Sequence, residues 1–315
     1  MADNRIVTGL SLIVLGFALS FPGCKAESWQ YPKPNADGTV EEPENWGGTC
    51  DTGRRQSPID LSHDAAVKGV YPLFVFDDYD QSMTNASLVN NGHTIQVNIG
   101  DESVSIYGGG LSGKYILEQF HFHWGSEHTI AGERYALEVH LVHRNSKYAT
   151  LTEAAEEKTG IAVVGVLFHV DEQSNESIGT ILNVTTSVKD KVNDYVRMTG
   201  SPTLESFIPK SRTKYFRYEG SLTTPVCSES VVWTVFPESL PVSLDQLEEF
   251  KSIRDAENEE LVLNYRQVKP LNARALVWVT ETEQRVDGGA SLPRLKLLSM
   301  TAGLLLSIMI CYFRT

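Results

Sequence analysis

Five of the eight histidines in this 315-residue chain fall within residues 119–143, QFHFHWGSEHTIAGERYALEVHLVH. Side chains alternate between the two faces of a β-strand, so Gln119, His121 and His123 share one face. The aromatic residues of the same stretch, Phe120, Phe122 and Trp124, share the other. This period of two predicts a strand with one imidazole-bearing face and one aromatic face, and any fold of the chain must accommodate both.

A second strand is predicted after a turn at residues 131–132, Ala-Gly. If the two strands pair in opposite directions, His140 on the second strand lies close to His121 and His123 on the first. Three imidazoles without a fourth protein ligand are typical of a catalytic zinc site, which keeps one position open for water. The sequence therefore predicts that these three histidines bind Zn2+.

Each predicted strand also carries a polar residue two positions before a candidate ligand. Gln119 precedes His121, and Glu138 precedes His140. On the same strand face, each can accept a hydrogen bond from the second ring nitrogen of its histidine and so fix the ring's orientation. The alternative is that the histidines are core residues with satisfied hydrogen bonds, and we assign that role to His143, which points to the other face.

The composition limits the classes of partner. The formal net charge is −13 and the isoelectric point is about 5.1, which argues against nucleic acid, because phosphate binding requires an excess of Lys and Arg. No repeat or low-complexity linker divides the chain, so we expect one catalytic domain at residues 27–286. Residues 160–168 are apolar throughout and predict a buried central strand. Residues 242–258 predict an amphipathic helix.

Both ends of the chain differ from the rest. Residues 1–26 resemble a secretory signal peptide, with Arg5 before a short apolar run. In residues 287–315, a cluster of small residues at 288–291 is followed by a spacer and an apolar run at 300–313. This layout is typical of a glycosylphosphatidylinositol (GPI) attachment signal, whose apolar part is removed. We expect the protein at the extracellular face of the plasma membrane, attached to the outer leaflet by a lipid. A retained membrane span or free secretion is the alternative.

The motifs QFHFHWGSEHT, ALEVHLVH and GSLTTP together resemble those of the alpha-class carbonic anhydrases, and the resemblance extends over residues 29–279. This family is itself the standard example of a three-histidine zinc site. The chain departs from many animal members where Gly125 is followed directly by Ser126, which affects the expected loop shape. The resemblance implies a mainly β fold with a few surface helices around a large, twisted, mostly antiparallel sheet. It also implies zinc-dependent, reversible hydration of CO2 to bicarbonate.

The resemblance implies a proton shuttle in the motif Asn-Asn-Gly-His that ends at His93. A histidine suits this role because its unperturbed pKa lies near 6.5. Asn91 and Gln96 would then order the water between zinc and His93. Without the resemblance, His93 would be interpreted as a solvated turn residue.

The resemblance also assigns roles around the nucleophile. Glu127 accepts a hydrogen bond from the Thr223 hydroxyl, which orients the reacting oxygen toward the substrate carbon without transferring a proton. The Thr223 amide receives a substrate oxygen, and Thr224 binds bicarbonate. The apolar wall of the CO2 pocket would consist of Val142, Val163, Leu222, Val231 and Trp233. Each of these is also an ordinary candidate for the core, and the two roles are compatible.

Secretion changes the interpretation of the four cysteines. Cys24 lies in the predicted signal and Cys311 in the predicted tail, which leaves Cys50 and Cys227 for the domain. Two cysteines in an oxidising compartment are expected to form a disulfide, and secreted members of the resembled family have a bridge between comparable segments. In the same compartment, three sequons become candidate glycosylation sites, at Asn85, Asn175 and Asn183.

Two other functions remain open from the sequence. The chain could be a binding module on the same fold whose catalysis has been lost, although relatives of that kind typically lack one or more zinc-binding histidines. It could also be another zinc hydrolase, such as an esterase. No nucleophile elbow and no His-Glu-x-x-His pattern is present, so esterase activity is expected only as a side reaction.

Overall fold

A computed structural model describes residues 29–33, 45–198 and 202–283. The predicted signal peptide at residues 1–26 and the predicted attachment signal at 287–315 lie outside the described residues. The domain boundaries at residues 27 and 286 therefore stay predictions.

Strands dominate the described residues, and short helices lie between them. The strands are β1 (Asp60–Leu61), β2 (Val67–Pro72), β3 (Phe74–Asp77), β4 (Ala86–Asn90), β5 (Ile95–Ile99), β6 (Ser105–Gly108), β7 (Tyr115–Trp124), β8 (Thr129–Ile130), β9 (Glu133–Arg134), β10 (Leu137–Asn145), β11 (Ile161–Val170), β12 (Tyr195–Arg197), β13 (Tyr215–Gly220), β14 (Val231–Val242) and β15 (Val277–Glu283). The helices are α1 (Gly48–Thr52), α2 (Leu151–Glu156), α3 (Glu176–Thr185) and α4 (Leu244–Lys251), with a 3-10 turn at Leu204–Phe207.

Twelve of the described strands form one sheet, whose main path runs β12-β4-β5-β7-β10-β11-β14-β13-β15-β2. Most neighbours are antiparallel, but β11 pairs with β14 and β15 pairs with β2 in parallel. The predicted fold, a mostly antiparallel sheet with few helices, is confirmed. The central strand predicted at residues 160–168 is β11, whose first eight residues are buried.

The two faces of the sheet bury different cores. The aromatic face of β7, formed by Phe120, Phe122 and Trp124, packs into the larger core. Val142, Val163 and Trp233 belong to a second core that does not include those aromatic residues. The aromatic side chains of β7 therefore lie on one face of the sheet, as the sequence predicted. The histidines of β7 lie on the other face, together with the second core.

The helix predicted at residues 242–258 is shorter than expected. Strand β14 continues to Val242, and α4 begins only after Ser243, whose hydroxyl accepts the Gln246 amide while the Gln246 side chain accepts the Ser243 amide. This capping box fixes the start of the helix. The helix ends at Lys251, and a β-bridge between Arg254 and Glu260 follows, so the apolar spacing beyond residue 251 belongs to irregular backbone.

Cys50 on α1 and Cys227 form a disulfide, as the sequence predicted. The bridge connects two segments 177 residues apart in the chain. In the part of the chain that the structure describes, no helix is both long and apolar enough to cross a membrane.

Candidate metal centre and catalytic site

The pairing of β7 with β10 places the three candidate ligands together. The strands are antiparallel, and His121 lies directly opposite His140. The ring centroids of His123 and His140 are 4.5 Å apart, and those of His121 and His140 are 5.3 Å apart. One ring nitrogen from each histidine lies within 4.8 Å of the other two. The predicted convergence of the three imidazoles is therefore present.

Each of the three rings is held by a hydrogen bond at the nitrogen that faces away from the group. His121 Nδ1 lies 2.8 Å from Gln119 Oε1, and His140 Nε2 lies 2.8 Å from Glu138 Oε1. Both partners are those expected from the sequence. Such contacts fix the tautomer and the orientation of a metal-binding imidazole, so His121 is left with Nε2 and His140 with Nδ1 for a metal.

His123 completes the group and shows that a metal fits there. Its Nδ1 lies 2.7 Å from the backbone oxygen of Asn264, while its Nε2 is buried and has no hydrogen-bond partner. A buried polar atom without a partner is costly, and a metal ion at this point would satisfy it. Burial lowers the pKa of His123 to about 3, and burial and its histidine neighbours hold the pKa of His121 well below its usual value. Both rings are therefore neutral, which is the form that binds a metal.

A second group of possible metal ligands, formed by His128, Glu138 and His140, is explained by hydrogen bonds instead. Glu138 Oε1 lies 2.7 Å from His128 Nδ1 as well as 2.8 Å from His140 Nε2. His128 Nε2 in turn lies 2.7 Å from the hydroxyl of Tyr218. Burial alone would raise the pKa of Glu138, but the two histidines hold it well below its usual value. This buried chain stabilises the position of His140.

The Glu127 carboxyl lies beside the histidine group and is fully buried. Its Oε2 is 3.5 Å from His123 Nε2 and 3.8 Å from His140 Nδ1, while its Oε1 accepts the Arg266 amide at 2.8 Å. Burial raises the pKa of Glu127 to about 7, and the Thr223 hydroxyl acts on it as a donor that lowers it. The contact with Thr223 is loose, because Oε2 has no partner with full hydrogen-bond geometry.

The loop that holds Thr223 is fixed by hydrogen bonds on both sides. The Ser221 amide donates to the Ser57 hydroxyl at 3.0 Å, and the Leu222 amide donates to the Ser228 oxygen at 3.0 Å. The disulfide at Cys227 connects the following turn to α1. Thr223 is 5 % exposed, so this rigid loop presents a buried hydroxyl, while Thr224 is half-buried.

The apolar residues predicted for the substrate pocket lie in one cluster. Val142, Val163, Val231 and Trp233 are buried there, and Leu222 packs against them half-buried. The Trp233 ring also lies 4.7 Å from the His140 ring, which places the apolar wall next to the candidate metal ligands. This is the arrangement that a small apolar substrate requires.

His93 occupies a turn that is connected to the histidine group through Asn264. The Asn91 side chain accepts the His93 amide at 3.0 Å and donates to Gln96 Oε1 at 3.3 Å. The Asn264 side chain donates to the His93 oxygen at 3.1 Å. The His93 ring stacks on Trp29 with 3.8 Å between centroids. Burial lowers the pKa of His93, so its free base, the proton-accepting form, predominates at neutral pH.

The sequence did not predict two residues that support this site. Asn264 binds His123 through its backbone and donates to the Phe122 oxygen at 2.8 Å through its side chain. Arg266 donates its amide to Glu127 and its guanidinium to the Cys50 oxygen at 2.8 Å. Both lie in irregular backbone between α4 and β15, where no periodic pattern is available to indicate them.

Fold and site together define a metalloenzyme in which three imidazoles from adjacent strands adjoin an apolar pocket and a buried carboxylate. Residues 41–280 match the eukaryotic-type carbonic anhydrase family. The chain is 38 % identical to mouse carbonic anhydrase 7 over 76 % of its length and 94 % of that protein. It is 34 % identical to human carbonic anhydrase 3 over 80 % of its length and 98 % of that protein. It is 36 % identical to rabbit carbonic anhydrase 4 over 77 % of its length and 80 % of that protein.

The chain therefore belongs to the alpha-class carbonic anhydrases. It is a carbonic anhydrase, a lyase whose family catalyses the reversible hydration of CO2 to bicarbonate. Carbonic anhydrases are zinc enzymes, and the group formed by His121, His123 and His140 can hold the ion.

Proposed function

We propose that this protein hydrates CO2 reversibly with zinc held by His121, His123 and His140, and that it does so at the extracellular surface of the cell. The observation that supports this most strongly is the buried, unpartnered Nε2 of His123 within reach of the other two imidazoles. A stopped-flow assay of CO2 hydration, with and without a zinc chelator, tests the proposal. A zinc-loaded protein without hydration activity would favour the binding module instead.

When bound, zinc supplies Lewis acidity that lets a water molecule lose its proton near neutral pH, a property established on carbonic anhydrases themselves. Glu127, beside the cation, stays ionised because a nearby positive charge lowers the pKa of a carboxyl group. Glu127 would accept a hydrogen bond from the Thr223 hydroxyl, which leaves the Thr223 oxygen to accept a hydrogen bond from the nucleophile. This contact would orient the nucleophile toward the substrate carbon.

The apolar cluster around Val142, Val163 and Trp233 holds CO2 and excludes water from its carbon. The Thr223 amide receives the substrate oxygen on which negative charge develops, and a fixed backbone donor stabilises such charge without reorganisation. Thr224, at the half-buried edge of the same loop, binds the bicarbonate that forms.

His93 accepts the proton that each cycle releases and transfers it to solvent. Asn91 and Gln96, which are hydrogen-bonded to each other, order the water between the site and the imidazole. Gln96 lies opposite His121 in the β5–β7 pair, so this water path begins beside a candidate zinc ligand.

We expect His93→Ala to lower kcat in weakly buffered solution and to leave kcat/KM nearly unchanged. The reason is that proton removal is separate from the attack on CO2, which His93 does not contact. Imidazole at high concentration should restore much of the lost kcat by replacing the missing base. Stopped-flow measurements at several buffer concentrations check this expectation.

His169→Ala is the matched control for His93→Ala, because His169 is an exposed histidine bonded to the Ser239 hydroxyl. It should change neither constant. An equal loss of kcat and kcat/KM in His93→Ala would mean that His93 supports the structure of the site or the chemical step. No loss at all would reduce it to a solvated turn residue.

The extracellular location rests on the predicted signal at residues 1–26, the predicted attachment signal at 287–315 and the disulfide. A bridge such as Cys50–Cys227 is rare in the reducing cytosol. Of the three sequons, those at Asn85 and Asn183 are exposed. The Asn175 side chain instead caps α3 and donates to the Pro241 oxygen at 3.1 Å. The Asn85 side chain, although exposed, donates to the Gly100 oxygen at 3.1 Å. We therefore propose Asn183 as the glycosylated position.

We expect phosphatidylinositol-specific phospholipase C to release the protein from intact cells into the medium, because it cleaves the lipid of a GPI anchor. The small residues at 288–291, followed by a spacer and a short apolar run, motivate this expectation. Activity in the medium before and after treatment is the measurement. Continued membrane attachment, with residues 311–315 still detectable by mass spectrometry, would instead establish a retained span.

A further inference from the structure

Arg217, on β13, buries a positive charge without a carboxylate partner among the described residues. It is 5 % exposed. Its Nε donates to the Thr234 hydroxyl at 3.1 Å, and its Nη2 has no hydrogen-bond acceptor in the described chain. Removing a charge from water is costly unless another group pairs with it. The Nη2 group of this guanidinium is therefore a buried donor without an acceptor among the described residues.

The two other buried arginines among the described residues are satisfied. Arg144 donates to the Glu118 carboxylate at 2.6 Å. Arg266 donates to three acceptors, which are the Gln56 side chain and the backbone oxygens of Ser57 and Cys50. Arg144 and Arg266 therefore have oxygen acceptors for their guanidinium groups, whereas the Nη2 of Arg217 has none among the described residues.

Aromatic rings surround the Arg217 guanidinium. The rings of Tyr215, Tyr71 and Phe74 have their centroids at 5.4, 5.6 and 5.8 Å from its central carbon. Ring faces attract a cation, which helps to explain why the charge tolerates burial. They accept no strong hydrogen bond, however, so they do not replace a carboxylate.

Arg217 lines a cavity of about 420 Å³ together with a second arginine, Arg274. The hydrogen bonds of Arg274 go to the backbone oxygens of residues 219, 270 and 271. The carboxylate on the same wall, Glu219, is engaged by Arg55 at 3.2 Å and by Lys158 at 3.3 Å. The wall therefore carries an excess of positive charge, and no described carboxylate forms an ion pair with either cavity arginine.

We infer that this cavity binds a small organic carboxylate, with the carboxylate at Arg217 and the apolar body against Leu111 and Val277. The fork of a guanidinium matches the two oxygens of a carboxylate, and cavities of about 300–1,000 Å³ are typical of small-molecule sites. The site is distinct from the metal centre, because His121, His123 and His140 are not among the residues that line the cavity. Tyr218 does line it, but the Tyr218 hydroxyl bonds His128 on the side of the metal ligands.

The test uses the zinc-loaded protein with benzoate as the probe and benzamide as its neutral isostere. Benzoate at ten times its Kd should raise the Tm of the unmodified protein by about 3–5 °C. Benzamide should have little effect. Benzoate can also bind at the zinc, and this raises the Tm of both proteins equally. In Arg217→Met, the Tm increase caused by benzoate should therefore fall to the part that comes from the zinc. Without benzoate, Arg217→Met should be no less stable, because it removes a buried charge that lacks a partner.

Arg212→Met is the matched control, since Arg212 also lies over an aromatic ring, that of Phe76, but outside the cavity. It should retain the full benzoate effect. If Arg217→Met does not fold, Arg217→Lys, which keeps the charge and loses the fork, should weaken benzoate binding at least about tenfold. An equal benzoate shift with and without the Arg217 guanidinium, or an equal shift by benzamide, would overturn the inference.

Discussion

His140→Ala is expected to abolish CO2 hydration and to lower the zinc content of the purified protein to a small fraction of one ion per chain. Two imidazoles remain, and a stable tetrahedral zinc site needs at least three protein ligands. The substitution also removes the ring that Glu138 holds at 2.8 Å. Metal analysis of the purified variant, together with stopped-flow hydration, is the measurement.

The matched control for His140→Ala is His143→Ala, on the same strand. His143 is equally buried, but its Nε2 lies 2.6 Å from the Tyr79 hydroxyl, away from the histidine group. This variant is expected to lose stability and to keep its zinc. Glu138→Ala is expected to lie between the two, with zinc bound about 10–100-fold more weakly, because Glu138 acts on the metal through His140. Full zinc occupancy in His140→Ala would exclude His140 from the site.

The centre of the fold could be predicted from the sequence because β7 and β10 follow a simple period. The alternation of side chains along β7 is sufficient to place His121 and His123 on one face. The turn predicted at residues 131–132 connects β8 to β9, and this short hairpin lies between β7 and β10, which still pair antiparallel as predicted. Gln119 and Glu138 could be predicted as partners of the ligands for the same reason, since residues two apart in a strand share a face.

The remaining support of the site depends on contacts that no local pattern encodes. Asn264 reaches His123 over a separation of 141 residues, and Arg266 reaches Glu127 over 139. Both residues lie in irregular backbone, where the chain path is set by tertiary packing. The roles of Glu127 and Thr223 came from family resemblance alone, because an isolated Ser-Glu-His or Thr-Thr-Pro has no characteristic spacing. The predicted extent of α4 was wrong because apolar spacing does not show where a cap ends a helix.

Thr223→Val is expected to lower kcat/KM for CO2 hydration by about 100-fold, the loss typical when one preorganised hydrogen bond to a reacting oxygen is removed. Valine has nearly the shape of threonine, so the buried loop should keep its form. Zinc content should not change, because Thr223 is not one of the three candidate ligands. The matched control is Thr180→Val, on α3, whose hydroxyl donates to the Glu176 oxygen at 3.0 Å. That variant should keep full activity.

The decisive comparison combines Thr223→Val with Glu127→Gln. If Glu127 acts by accepting a hydrogen bond from the Thr223 hydroxyl, the two groups work as a unit, and the double variant should be little worse than the more damaging single variant. Additive losses would show that Glu127 acts separately, for example by holding the Arg266 amide at 2.8 Å. Because Thr223 is the hydroxyl donor that acts on the Glu127 carboxylate, we expect the losses to be non-additive.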